Sequence, residues 1–469
     1  MLTSTSPIDK VFYGTIIHSL SLRQIEYIQR GLLIVDALGV IVRMDRNVAP
    51  NQLDRLLADV SRENVIVLND DQFIIPGLID THIHAPQYSY CGNGHDISLL
   101  QWLDTLIFPY ESEFKDPSHA RHIYTKSVAR SLRNGTTSAC WFATIHLEAT
   151  KELVNVIREQ GQRAYVGKVN MNQNSPASLT ETTESSVTDT RAFIEYVQTT
   201  NSTGPSASAN RITKPLVTPI ITPSFAISCT SDLLTKLGEL ATEYNLPIQS
   251  HLCETPHEIA FTRSLFPGSA DYTSIYADHG LLTDRSIMAH CIHITDQELA
   301  MMKDRNAGVS HCPNSNFTIC SGMAHVRRML DMDIKVALGT DVAGGTSPSI
   351  LEALRSARTC AVDAETTLRV PELFYLATMG GARVMGLEAT VGNFTVGKEF
   401  DAVLVNTAVE NSPLDAFEHD SVESMFEKYL FMGDDRNNEK VYVQGKEVRL
   451  PGGGAGSGAV GSGSGSTVN

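Results

Sequence analysis

PGLIDTHIH, residues 76–84, reads as an extended strand entered through a Pro-Gly turn. Alternation along a strand sends Asp80, His82 and His84 to one face. Imidazoles at the end of an apolar strand suit the rim of a parallel barrel, where catalytic groups gather from several strand ends. Seven more apolar runs follow: TTSACWFA, RAYVGKVNM, LVTPIITP, LPIQSHL, SIMAHCIHI, AGVSHCP and KVALGTD. Eight runs alternating with helical stretches predict an α/β chain built on a closed (β/α)8 barrel.

The helices between the runs are clearly punctuated. Asp116 is placed to cap one whose first turn holds Pro117 and which ends before Gly135. LEATKELVNVIREQ stops at Gly161, and AFIEYVQ is helical within a Ser/Thr-rich stretch whose NSTGPSASANR segment reads as an exposed loop. Residues 1–75 carry short strands (VFYGTIIHS, GLLIVDALGVIVRMD, NVIVLND, FIIPG), and residues 391–450 return to the same pattern in FDAVLVN and KVYVQGKEVRL. The two ends are expected to pair into a small β-sandwich beside a barrel over 76–390, with 451–469 as a flexible Gly/Ser tail.

Composition narrows the function. A formal charge of −16 over 469 residues, with no basic stripe, argues against nucleic acid. MLTSTSPIDK lacks the charged and apolar regions of a secretory signal, and no apolar run is long enough to span a bilayer. Eight cysteines without a C-x-x-C pair suit free thiols in a reducing cytoplasm.

Six residues at run ends carry the chemistry: His82, His84, His251 and Glu254 in IQSHLCE, His290 in IMAHC, and Asp341 in VALGTD. Three imidazoles and a carboxylate hold one divalent metal with a position left for water, and a nearby Glu moves protons. Each has an ordinary reading alone: a core histidine for His290, a helix-start carboxylate for Glu254, a helix cap for Asp341. Six at matching strand ends read together as a metal-dependent hydrolase. There is no H-E-x-x-H, P-C-x-x-C or G-x-S-x-G, which removes zinc proteases, cytidine-type deaminases and serine hydrolases. His311 in SHCPNSN is a candidate for contact with substrate or for holding its own loop. His95 in GNGHD is a candidate for the pocket mouth or the surface.

PGLIDTHIHAPQYSY, TPSFAISCT, IQSHLCE, MAHC, SHCPNSNF, LGTDVAGG, GNFTVGKEFDAVLVN and FMGDDRN together resemble the guanine deaminases of the amidohydrolase superfamily, over about residues 10–450. The resemblance implies an amidohydrolase barrel with one Zn2+ per subunit, Fe2+ being admissible at such sites. It assigns the metal to His82, His84, His251 and Asp341. It makes Glu254 the proton shuttle, Asp341 the acceptor of the water's proton, and His290 the group that orients the attacking oxygen. Gln87 and Phe225 would hold the base by hydrogen bonding and packing, beside Glu254 and His290. LVTPIITP lacks the lysine that dinuclear relatives carbamylate, so a single metal is expected. The resemblance also implies a homodimer and conversion of guanine to xanthine and ammonia.

One position departs from that pattern. Where the family's TP-x-F segment carries a base-contacting arginine, this chain has Ser224. A charged hydrogen bond is worth about 1.5–3 kcal/mol, so a pterin or another aminated ring enters as an alternative substrate. The ligands also permit opening of a cyclic amide or dechlorination of a triazine. A non-catalytic scaffold is disfavoured because every ligand is present.

Overall fold

Each of the eight apolar runs forms a barrel strand. They are β1 (Leu78–His84), β2 (Thr136–Phe142), β3 (Arg163–Gly167, continued by Val169–Asn170), β4 (Val217–Pro219 and Thr222–Pro223), β5 (Ile248–Leu252), β6 (Ser286–His290), β7 (Gly308–His311) and β8 (Lys335–Leu338). The computed structural model describes residues 6–58, 60–94, 97, 99–203, 214–360 and 366–450. His95, most of NSTGPSASANR and the tail 451–469 lie outside them.

All pairings within the barrel are parallel, in two four-stranded arcs, β1 to β4 and β5 to β8. Pro219 and Pro223 supply no N–H to the ladder, and β4 is broken between its two pieces. The arcs join through a parallel bridge between Ile221 and Ile248. At the other seam the Asp341 N–H donates to the His82 carbonyl (2.9 Å) and the His84 N–H to the Val342 carbonyl (3.2 Å). These closing bonds bring the end of β1 beside the segment after β8.

The helices form where their punctuation places them. Pro117–Arg133 starts from Asp116, whose carboxylate accepts from the Ser118 N–H, and Leu147–Gln160 ends at Gly161 with φ of 81°. AFIEYVQ lies within the helix Thr183–Thr203.

Strands from both chain ends join one eight-stranded sheet. They meet where Ala402–Asn406 runs antiparallel to Gln72–Pro76, pairing Ala402 with Pro76 and Asn406 with Gln72. Phe12, Ile16, Leu33, Phe400 and Tyr442 pack together as this domain's own core. Two helices here carry no strand-like pattern and were not expected. Pro50–Leu56 lays Leu53, Leu56 and the following Leu57 over Val11, Leu32 and Ile34. Val422–Met432 inserts Phe426 between the small sheet and the barrel helices, edge-on to Phe73 (6.0 Å), Tyr27 (5.8 Å) and Phe374 (4.9 Å).

A buried ion cluster ties the small domain to β3. Arg163 donates to Glu399 Oε2 (2.6 Å) and to Asp401 Oδ2 (2.9 Å) and Oδ1 (3.1 Å), with all three side chains almost fully buried. Removing the guanidinium strands two carboxylates in a dry interior, a loss of about 3–5 kcal/mol. Arg163→Met is therefore expected to lower the unfolding free energy, measured by denaturant titration, by about 3–5 kcal/mol. A loss below about 1 kcal/mol would mean that the cluster is not holding the domains.

No helix among the described residues is long and apolar enough to cross a membrane. All eight cysteine thiols are free.

Candidate active site

His82 and His84 leave β1 on the same face, as alternation requires, with their Nε2 atoms 3.2 Å apart. The backbone bonds that close the barrel bring in Asp341, whose Oδ1 lies 3.2 Å from His82 Nε2 and 3.3 Å from His84 Nε2. His251 enters from β5. Its Nδ1–H donates to the Ser224 carbonyl (2.6 Å), which leaves Nε2 as the free lone pair. One donor atom from each of these four residues lies within 4.8 Å of all the others.

Asp80, on the same face of β1, does not join them. It accepts from the N–H groups of His82 (3.2 Å) and Thr340 (3.0 Å) and locks β1 to the end of β8. Burial pushes its carboxyl up to about 7 against those hydrogen bonds.

This donor set fits a tetrahedral cation. Metal–nitrogen bonds of about 2.0–2.1 Å place neighbouring ligand atoms about 3.3 Å apart, close to the separations found. Burial pushes His82 down to about 4 and His251 well below the ordinary histidine value, so both present unprotonated nitrogen. Burial alone would raise Asp341, but its hydrogen bonds to His82 and His84 and the charge of His290 hold it well below the usual carboxylate range. An overlapping group substitutes His290 and Cys312 for His84 and His251. Burial raises the Cys312 thiol well above its ordinary value, so it stays protonated and is the poorer ligand.

Glu254 and His290 stand over the open side of Asp341. His290 Nε2 is 3.7 Å from both Glu254 Oε2 and Asp341 Oδ2, and its Nδ1–H donates to Asn316 Oδ1 (2.9 Å). Burial pulls the His290 imidazole down, but the carboxylates of Glu254 and Asp341 and the Asn316 bond carry it above its ordinary value. Glu254 accepts from Ser321 Oγ (3.1 Å), while burial and the Asp341 charge raise its carboxyl. The helix-start role open to Glu254 falls instead to Glu258, whose carboxylate accepts from the N–H groups of Glu254 (2.8 Å) and Thr255 (3.1 Å).

The backbone is strained at this rim. Cys253, His290, Cys291 and Asp341 all take left-handed φ, between 48° and 71°. Such conformations cost about 1–3 kcal/mol each and persist where the surroundings hold them.

A pocket opens from the donor cluster. Gln87, Ser224, Phe225, Glu254 and His290 all line it. His311 does not line it. It is fully buried, and its ring nitrogens have no hydrogen-bond partner among the described residues. The remaining wall was not anticipated. Trp102, Leu103, Ile107, Phe108 and Glu111 come from a helix that widens into a π-turn over Leu103–Ile107. Glu111 and the hydrogen-bonding partners Asn316 and Ser321 were also missed. SHCPNSN held a signal for Asn316, whereas nothing local marks Ser321.

The model of the amidohydrolase family matches residues 73–448, which include every donor and the whole pocket. The chain belongs to the amidohydrolase family. Within the amidohydrolases it is similar over nearly its whole length to curated guanine deaminases. The Dictyostelium discoideum protein is 42% identical over 465 residues, covering 96% of this chain and 100% of that one. The Mus musculus protein is 40% identical over 455 residues, covering 95% and 97%. Among solved structures, C. acetobutylicum guanine deaminase with bound guanine superposes with a TM-score of 0.84 at 34% identity, covering 94% of this chain and 100% of that one.

Proposed function

We propose that this amidohydrolase is an aminohydrolase of cyclic amidines that converts guanine and water to xanthine and ammonia. The observation that carries the deaminase reading is Glu254 and His290 set over the free oxygen of Asp341 at one end of an aromatic pocket. Guanine itself is supported by the full-length similarity to guanine deaminases.

In this reading His82, His84, His251 and Asp341 would hold one zinc ion, with iron(II) an alternative occupant. When bound, the ion lowers the pKa of water to about 7 and so supplies a nucleophile at neutral pH. Asp341 takes the proton of the attacking water through Oδ2. Glu254 delivers a proton to the ring nitrogen beside the amine-bearing carbon, which makes that carbon electrophilic. His290, fixed by Asn316, donates a hydrogen bond to the oxygen as the carbon becomes tetrahedral. Glu254, reprotonated from Asp341, then protonates the amine; the C–N bond breaks, ammonia leaves, and Glu254 takes up the hydroxyl proton as the new carbonyl forms. Phe225 and Phe142 flank the ring, and Gln87 offers an amide N–H to it. A homodimer belongs to the same reading and rests on the sequence resemblance; a cytoplasmic location rests on the pattern of cysteines.

A second reading follows from Ser224. Its carbonyl is engaged by His251, and its side chain brings no charge to the pocket. Among the described lining residues there is no lysine or arginine, so the wall does not select for the guanine carbonyl by charge. A serine where the family carries an arginine also leaves room for a larger ring such as a pterin.

Ammonia release by zinc-loaded protein across guanine, 8-oxoguanine, pterin, isoxanthopterin, adenine and cytosine separates the readings. The expected result is guanine as the best substrate, with Ser224→Arg changing kcat/KM for guanine by no more than about tenfold. Stronger turnover of a pterin, together with a ten- to hundredfold gain for guanine in Ser224→Arg, would replace the first reading by the second. Silence across the panel would remove both.

A further inference from the structure

Glu111 is a third pocket carboxyl, beside Glu254 and Asp341, and the reaction described above does not use it. It lies on the short helix Phe108–Ser112, is 6% exposed, and shares the pocket with His84, Gln87 and Glu254. One of its oxygens is engaged. Gln87 Nε2 donates to Glu111 Oε1 (3.2 Å), while Gln87 Oε1 accepts from the Ala343 N–H (3.1 Å). The Ala343 N–H requires an acceptor, so the Gln87 amide has one possible orientation and its NH2 must face Glu111. Glu111 Oε2 has no hydrogen bond among the described residues, and no lysine or arginine lines the pocket to neutralise it.

A buried carboxyl with one idle oxygen is costly unless something else supplies a donor. Burial pushes this carboxyl up to about 7, against the opposing influence of His84 and the Gln87 bond. A ligand N–H directed at Oε2 would relieve that cost. The proposed substrate is rich in such donors, since guanine carries ring N–H groups beyond its reacting amine.

We infer that Glu111 is a specificity-determining residue whose Oε1 anchors Gln87 while its Oε2 accepts a ring N–H of the substrate. The inference rests on the ring-deaminase reading. It makes the pocket select for donor edges rather than for carbonyl oxygens, in keeping with a wall that holds the carboxyls of Glu111, Glu254 and Asp341 and, among the described residues, no lysine or arginine. Loss of a hydrogen bond to a charged acceptor corresponds to about ten- to a hundredfold in affinity.

The test pairs Glu111→Gln with N-methylated rings. A glutamine at this position still accepts from Gln87 but cannot combine that with accepting from the ring, so the two roles separate. Zinc-loaded wild type is assayed with guanine and with 1-, 7- and 9-methylguanine. At least one methylated ring is expected to lose about ten- to a hundredfold in kcat/KM. Glu111→Gln should lose a similar factor on guanine, mainly in KM, and less than about threefold more on that methylated ring. Glu111→Ala, which also releases Gln87, should fall below Glu111→Gln.

Two kinetic results overturn the inference alone: guanine kinetics in Glu111→Gln within about threefold of wild type, or equal losses on guanine and every methylated ring. A wild type that does not deaminate guanine overturns the proposed function and this inference with it. Calorimetry on wild type provides a check that needs no variant. Xanthine should bind at least tenfold more tightly than the correspondingly methylated xanthine, and a difference below about threefold overturns the inference.

Discussion

Glu254→Gln is expected to lower kcat by about 10²–10⁴-fold while leaving the metal content at one ion per chain. Glutamine has the same shape and still accepts from Ser321 Oγ, so the pocket wall is preserved. It cannot carry a proton between water, ring nitrogen and departing amine. Glu254 is 6% exposed and its Oε2 stands 3.7 Å from His290 Nε2, which places it beside the reacting centre and out of bulk water. The neighbouring carboxyl, Glu258, cannot take its place, because it is committed to the N–H groups of Glu254 and Thr255. KM for guanine should change by only a few fold, since the lost interaction belongs mainly to the transition state. Steady-state ammonia release with parallel elemental analysis measures this. Wild-type turnover in a metal-replete Glu254→Gln would remove Glu254 from the reaction.

Removal of the metal should have an effect at least as large. Dialysis against a chelator is expected to bring ammonia release to background, and one equivalent of zinc per chain should restore it. Four converging donors argue for this strict dependence. The Nε2 atoms of His82 and His84 face each other at 3.2 Å, and Asp341 Oδ1 lies within 3.3 Å of both. His251 is already turned by its bond to the Ser224 carbonyl, so little ordering remains to be done on binding. The ion should also stabilise the fold by about 2.7 kcal/mol at a hundredfold excess over its Kd, seen as a higher unfolding midpoint. Asp341→Asn should be inactive and not rescued by zinc. Full turnover by protein shown to be metal-free would exclude the donor cluster from the chemistry.

The barrel was legible because its evidence is local and repeated. Eight apolar runs alternate with capped helices, and PGLIDTHIH carries its own phase, so the direction of His82 and His84 follows from the pleat alone. The pairing of the two ends was legible from their strand-like patterning. The helix Pro50–Leu56 was not, because its two leucines gain meaning only against the sheet they cover; Val422–Met432 does carry Val422, Met425, Phe426, Tyr429 and Leu430 at helical spacing, a local signal that was passed over. Ser224 shows the limit most clearly. In sequence it draws notice for its side chain, whereas the structure employs its carbonyl to orient His251.

The sequence by itself determined the kind of strands and helices, their order, and which imidazoles and carboxylates stand at strand ends. It did so because those properties depend on alternation, capping and backbone restriction within a few residues. Tertiary structure alone decided which donors face one another across the barrel, that Asp80 locks a seam while Asp341 joins the cluster, and that His311 stays out of the pocket. It also brought Asn316 to His290, Ser321 to Glu254 and Glu111 to Gln87. Those pairings arise between segments separated in the chain, where barrel closure sets the distance and burial makes an unpaired polar group costly.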